Sequence, residues 1–96
     1  MKKYINLKPI NDFYPDATFD YHNLGILSLY EITHLFEEFL LDCEAMGYKR
    51  VIIITGKGQV VRPQVNKLLK QSKKIESFKT AGYFNGQNGA FEVILK

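Results

Sequence analysis

Four consecutive β-branched residues, Val51-Ile52-Ile53-Ile54, leave few folds open to a chain of 96 residues. A run this short, with no polar position in it, suits a strand buried on both faces rather than one with a solvated side. What precedes the run points the same way. Ser28-Leu29-Tyr30-Glu31 fits a capping box, in which the serine hydroxyl and the glutamate carboxylate satisfy orphan amides at a helix start. Leu29, Ile32, Phe36, Phe39, Leu40, Cys43 and Met46 then recur at helical spacing, and Gly47 supplies the left-handed residue that ends a helix. Ahead of that helix, Phe19-Asp20-Tyr21-His22 reads as a short strand, with Phe19 and Tyr21 on one face and Asp20 and His22 together on the other. Asn23-Leu24-Gly25 makes the turn between them. Strand, helix and strand in this order imply a parallel pair.

Downstream, Thr55-Gly56-Lys57-Gly58 leaves the apolar strand directly and leads into a second helix starting near Arg62-Pro63, where proline is tolerated because first-turn amides lack partners. Val61, Val65, Leu68 and Leu69 form its apolar stripe, leaving Arg62, Lys67, Lys70, Lys73 and Lys74 to water or a ligand. Ile75 to Ala81 reads as a third strand, Tyr83 to Gly89 as a loop marked by Asn85-Gly86 and Asn88-Gly89, and Ala90 to Leu95 as an alternating fourth strand. The expected architecture is an α/β two-layer sandwich: a four-stranded mixed sheet with two helices on one face, in the order β-α-β-α-β-β. Residues 1–18, punctuated by Pro9, Asn11, Asp12, Pro15 and Asp16, read as an arm or lead-in to a domain over 19–96.

Composition narrows the classes of function. With 46% hydrophobic residues, seven Phe and six Tyr, the chain can build one core and is too short for two. No run approaches the ~18 apolar residues of a membrane span, and Met1-Lys2-Lys3-Tyr4-Ile5-Asn6 lacks the apolar stretch of a secretory signal. A cytoplasmic protein without a membrane partner is expected. Cys43 is the only cysteine, so an internal disulfide and a thiolate zinc site are both excluded, and its place beside Phe39, Leu40 and Met46 marks it as a core residue. Charge is unevenly spread: residues 1–48 carry three lysines against eight carboxylates, whereas residues 49–79 carry nine basic residues against Glu76 alone. Such a block fits a polyanion-binding face, and equally a solvated helix surface that neutralises the acidic half.

Two segments can carry chemistry, and both fall at the carboxyl ends of the parallel strands, where open α/β sheets form their ligand crevice. The glycines of Thr55-Gly56-Lys57-Gly58 let backbone amides approach a phosphate, the helix start adds favourable partial charge, and Lys57 adds a full one. It is not a Walker A motif, since Gly58 rather than Ser or Thr follows Lys57. A lone Gly-Lys-Gly also serves as an ordinary tight turn. Asp20 and His22 share a strand face, so the imidazole can move a proton while the carboxylate positions it or holds a metal. A histidine ending a strand is also a common structural hydrogen-bonding residue. His34, on a mostly polar helix face, receives no role.

Taken together, these residues resemble the Smr domain, the small module found at the C-terminus of MutS2 proteins and as a standalone protein. The family's Leu-Asp-Leu-His-Gly motif is matched by Phe19-Asp20-Tyr21-His22-Asn23, its Thr-Gly-Lys-Gly loop by Thr55-Gly56-Lys57-Gly58, its Leu-Arg pair by Val61-Arg62, and its glycine-bearing final hairpin by Gly86, Gly89 and Ala90. The resemblance covers roughly residues 19–96 in the right order. Asn23 stands where the family has glycine, and two or three extra residues separate His22 from the helix, so the first loop is expected to differ in shape. The resemblance implies a fold similar to the C-terminal domain of a bacterial initiation factor, and binding, often nicking, of DNA or RNA.

On that basis the leading expectation is a phosphodiester-cleaving domain. His22 acts as acid or base, Asp20 orients it or a metal, and Lys57 with the loop amides stabilises developing phosphate charge. Thr55, Gly56, Lys57, Gly58, Arg62, Lys67 and Lys70 are the expected nucleic-acid contacts. No cofactor is required by these residues, and Mg2+ is the one candidate. The alternatives are a non-catalytic module for DNA, RNA or the ribosome, and a protein-interaction domain whose lysines only face solvent.

Overall fold

The computed structural model describes residues 4–5, 15–81 and 89–96 of the chain. Its first strand pair is β1 (Tyr4–Ile5) and β2 (Ala17–Asp20), which run antiparallel. After α1 (Leu29–Met46), strand β3 (Arg50–Ile54) lies parallel to β2, with Ala17 opposite Val51 and Asp20 opposite Ile54. Helix α2 (Val61–Gln71), β4 (Ile75–Thr80) and β5 (Ala90–Leu95) follow. Strand β5 inserts antiparallel between β3 and β4, so the order across the sheet is β1-β2-β3-β5-β4. This is the expected four-stranded mixed sheet with β1 added at its β2 edge. The apolar run Val51–Ile54 occupies its centre, and Val51, Ile52 and Ile53 are buried.

Helix α1 begins as its capping box requires: Ser28 Oγ accepts from Glu31 N at 3.1 Å and Glu31 returns a carboxylate oxygen to Ser28 N at 2.8 Å. Gly47 ends it at φ +75°, with the Tyr48 amide donating to Cys43 O. Ile32, Phe36, Phe39, Leu40 and Cys43 are buried, whereas Leu29 and Met46, expected on the same stripe, are exposed at the two ends of the helix. Burial pushes the Cys43 thiol up to about 12, aided by the Asp42 and Asp16 carboxylates, as suits an unreactive core residue. Helix α2 starts at Val61, which keeps Pro63 within the first turn. It buries Val65 and Leu69, while Val61 and Leu68 are partly buried against the core.

Both helices cover one face of the sheet. Ala17, Phe19, Val51, Ile53, Phe91, Val93 and Leu95 meet Ile32, Phe36, Phe39, Leu40, Val65 and Leu69 in a continuous core. Phe19 stacks edge-on against Tyr21 at 4.6 Å and tilts against Phe39 at 5.4 Å. The buried Tyr21 hydroxyl donates to Ile32 O at 2.8 Å, and desolvation drives its pKa far above the ordinary tyrosine value. Because side chains alternate along a strand, Thr18, Asp20, Ile52 and Glu92 turn to the opposite face. On that face the Glu92 carboxylate meets Arg50 Nε at 2.5 Å and Lys79 Nζ at 3.7 Å. Asp16 ties the strand starts together, its Oδ2 accepting from the amides of Lys49 and Arg50 at 2.7 and 3.1 Å.

Strand β2 runs over 17–20 rather than 19–22, because the Asp20 carboxylate captures the His22 amide and turns the chain out of the ladder. Strand β4 stops at Thr80, one residue before the expected Ala81, and carries an irregularity between Ile75 and Ser77. The Tyr83–Gly89 loop, except Gly89, and the lead-in before Pro15, except Tyr4 and Ile5, lie outside the described residues. Among the described residues no helix is long and apolar enough to cross a membrane.

Candidate functional site

Strand β2 delivers Asp20 to the carboxyl end of the sheet, on the face turned away from the helices, and His22 follows where the chain leaves the ladder. One carboxylate oxygen, Oδ1, accepts from the His22 amide at 2.8 Å and meets His22 Nδ1 at 2.6 Å. A carboxylate only accepts, so Nδ1 carries a proton in this pair and Nε2 is the nitrogen left for a ligand. Among the described residues Nε2 has no partner, and the His22 side chain is 54% exposed. The ring is thus held from behind and open in front.

The neighbouring strand brings the glycine loop against this pair. Tyr21 N donates to Ile54 O at 2.8 Å, which locks the two parallel strand ends in step immediately before both segments leave the sheet. Gly56 follows at φ +75°, and a Cβ there would lie 3.4 Å from His22 Cβ. Gly89 backs it closely: its own Cβ would come within 3.2 Å of Gly56 Cα. The amides of Thr55 and Gly56 both donate to Gly89 O, at 2.8 and 3.0 Å, and the buried Thr55 hydroxyl bonds Gly56 O at 2.7 Å. Thr55 is therefore a brace for the loop, and its amide and that of Gly56 are already engaged. Lys57 and Gly58 are exposed beyond it. No side chain caps α2 at Val60, so the amides of Val61 and Arg62, ahead of Pro63, keep their capacity for an anion.

Arg62 is placed otherwise than expected. Its guanidinium lies 4.7 Å over the Phe91 ring, on the helix-covered face, with Nη1 buried and without a hydrogen-bond partner among the described residues. Lys67 and Lys70 are exposed but lie about 9 and 13 Å along the α2 axis from its start. The basic block is also thinned by internal pairing: Arg50 and Lys79 meet Glu92, Lys74 meets Glu44 at 2.8 Å, and Lys49 Nζ bonds Lys96 O. Lys57, Lys67, Lys70 and Lys73 keep their charge for solvent or a ligand among the described residues.

Among the described residues no three metal-ligating side chains come together. Asp20 leaves Oδ2 outside its bonds to His22, so Mg2+ would rest there on one carboxylate and complete its shell with phosphate and water, a coordination this ion accepts. Sequence reasoning missed a cleft on the far side of the loop, lined by Gln59, Arg62, Asn66, Thr80 and Phe91. Only the Arg62–Asn66 spacing of four on one helix edge was visible in advance.

Comparison with known proteins places this small α/β module in a family. A model of the Smr domain family matches residues 22–96, and the chain belongs to that family. It is 33% identical over 70 residues to the endonuclease MutS2 of Finegoldia magna, and 36% identical over 67 residues to that of Clostridium novyi. These matches cover 72% and 69% of this chain but 8% of each relative. Among solved structures, the Smr domain of Thermus thermophilus MutS2 superposes with a TM-score of 0.71 at 26% identity, covering 82% of this chain and 96% of that one. YdaL, a stand-alone small MutS-related protein from Escherichia coli, gives 0.70 at 26% identity over 82% of this chain and 63% of its own. In the first loop the left-handed glycine is Gly25, at φ +80°, three positions after His22.

Proposed function

We propose that this chain is a nucleic-acid-binding domain that hydrolyses phosphodiester bonds, with Asp20 and His22 as its proton-handling pair. The observation that carries this reading is the 2.6 Å contact between His22 Nδ1 and Asp20, made where Gly56 packs against the histidine. The phosphate rests at the exposed part of the loop, on Lys57 and the uncapped start of α2. A water attacks phosphorus and gives its proton to His22 Nε2, while the bond to the leaving oxygen breaks and that oxygen takes a proton from solvent water. Asp20 holds the ring in place and offsets the imidazolium charge, and Lys57 stabilises the charge gathering on the phosphoryl oxygens. Mg2+ on Asp20 Oδ2 would add further charge neutralisation, and no step above depends on it. The names of the MutS2 relatives as endonucleases support this reading.

Phosphate contacts are shared by DNA and RNA, and either strand chemistry fits them. The test is cleavage of labelled supercoiled DNA and structured RNA by purified protein, with and without magnesium. His22→Ala is expected to lower the rate by roughly 10²–10⁴-fold, the loss of a well-placed acid or base, with binding nearly intact. A variant that cleaves as fast as wild type would refute the assignment. One observation favours binding alone: the bond from His22 N to Asp20 is what a turn needs without any chemistry. Wild-type protein that binds but cleaves no substrate would establish that module, for DNA, RNA or the ribosome.

A further inference from the structure

Beyond the loop, between the first turns of α2 and the end of β4, lies an open cleft of about 500 Å³ that the phosphate site does not use. Gly58 forms the rim it shares with the loop, and Gln59, Arg62, Asn66, Thr80 and Phe91 line it. The chemistry of this lining differs from that of a phosphate cradle. Two carboxamides, a hydroxyl and a guanidinium line the cleft, and among the described residues no carboxylate does. Carboxamides both donate and accept, whereas a phosphate only accepts, so half of their capacity would be idle against a backbone.

The guanidinium is pre-set for reading a planar edge. Stacking over Phe91 at 4.7 Å fixes its plane, and Nη1 is buried with no hydrogen-bond partner among the described residues. Nη1 itself is closed to the cleft, so the donors offered to a ligand acceptor are those of Nε and Nη2, which make no hydrogen bond among the described residues. Asn66 stands one helical turn beyond Arg62 on the same edge of α2, which puts an amide oxygen and amide nitrogen beside the guanidinium.

We infer that this cleft takes a single unpaired nucleobase of the bound strand, with guanine preferred. The inference rests on the proposed binding of the strand's phosphate at the adjoining loop. Guanine offers O6 and N7 as paired acceptors to Arg62, and its N1–H and N2 amino group as donors to the carboxamide oxygens of Asn66 or Gln59. Adenine carries an amino group where guanine has O6, setting donor against donor. Uracil lacks the second donor and the purine's acceptor pair. A base in the cleft must be out of the duplex stack, so the substrate is single-stranded next to the bound phosphate.

The experiment is fluorescence anisotropy on the full chain, with labelled single-stranded oligouridylates of one length carrying guanine, adenine or uracil at a central position. The guanine oligonucleotide is expected to bind about tenfold more tightly than the other two, within the range of one bidentate base contact. Gln59→Ala combined with Asn66→Ala should lower that preference to the part Arg62 carries and leave the affinity for plain oligouridylate unchanged. Lys57→Ala should weaken all three alike and keep the preference. Equal wild-type affinities, a preference for adenine, or a guanine preference undiminished in the double variant would overturn the cleft assignment while leaving the phosphate site standing. Failure to bind any of the oligonucleotides would remove the phosphate reading and this one with it.

Discussion

Gly56 shows how little room the site leaves. Its φ of +75° is a conformation that L side chains rarely adopt, and Gly89 backs it while His22 faces it. Gly56→Ala is expected to destabilise the protein by roughly 1–2 kcal/mol through backbone strain. Thermal unfolding followed by circular dichroism checks this, and a Tm lower by about 4–8 °C per kcal/mol is the expected reading for a domain of this size. An unchanged Tm would mean that the loop relaxes into another conformation.

Each element near the site has a distinct job. Helix α1 is closed at its start by Ser28 and Glu31, so Ser28→Ala removes one side of a reciprocal pair and is expected to cost about 1 kcal/mol of stability. Chemical denaturation should report a lower midpoint with an unchanged slope, since no additional surface is exposed. The loop from Thr55 to Gly58 and the start of α2 act together on anions. Each phosphate neutralised on duplex DNA contributes roughly −0.9 to the log-log salt slope, so Lys57→Ala should flatten that slope by about one unit. Binding titrations over a range of salt concentrations test this, and an unchanged slope and affinity would place the backbone elsewhere.

For the whole molecule, the helix-free face of the sheet is held by charge. The hydrogen bond from Arg50 keeps the Glu92 carboxyl below the usual glutamate range, with further help from the Arg50 and Lys79 charges and against the effect of desolvation. Since the folded value is depressed, the contribution to stability is complete above about pH 4.3, the value of an unfolded glutamate. It is lost as the pH falls through the lower folded value. Glu92→Gln is therefore expected to be less stable than wild type at neutral pH, by about 1 kcal/mol for a partly exposed pair. The gap should close in acid, and Tm measured against pH for both proteins tests it. A gap independent of pH would point to packing rather than charge.

Much of this was legible in the chain itself because it rests on local chemistry. The capping box at Ser28, the left-handed Gly47, the stripe from Ile32 to Cys43 and the β-branched run at 51–54 each depend on neighbours within a few residues, and each takes the expected form. Asp20 beside His22 was legible for the same reason, as a pair two residues apart. Long-range geometry was not. The insertion of β5 between β3 and β4 depends on which strand edges remain unpaired once the core closes. Arg62 reads as a solvent-facing cation on its helix, but it stacks on Phe91, which reaches it only through that strand order. The nine basic residues of the middle segment are likewise divided by tertiary contacts into those held by Glu44, Glu92, Lys96 O or the Phe91 ring and those left open. Local spacing determined the elements and the residues that end them. The order of the strands, the cleft beside α2 and the identity of the free charges followed from packing, because burial and ion pairing join residues that are far apart in the chain.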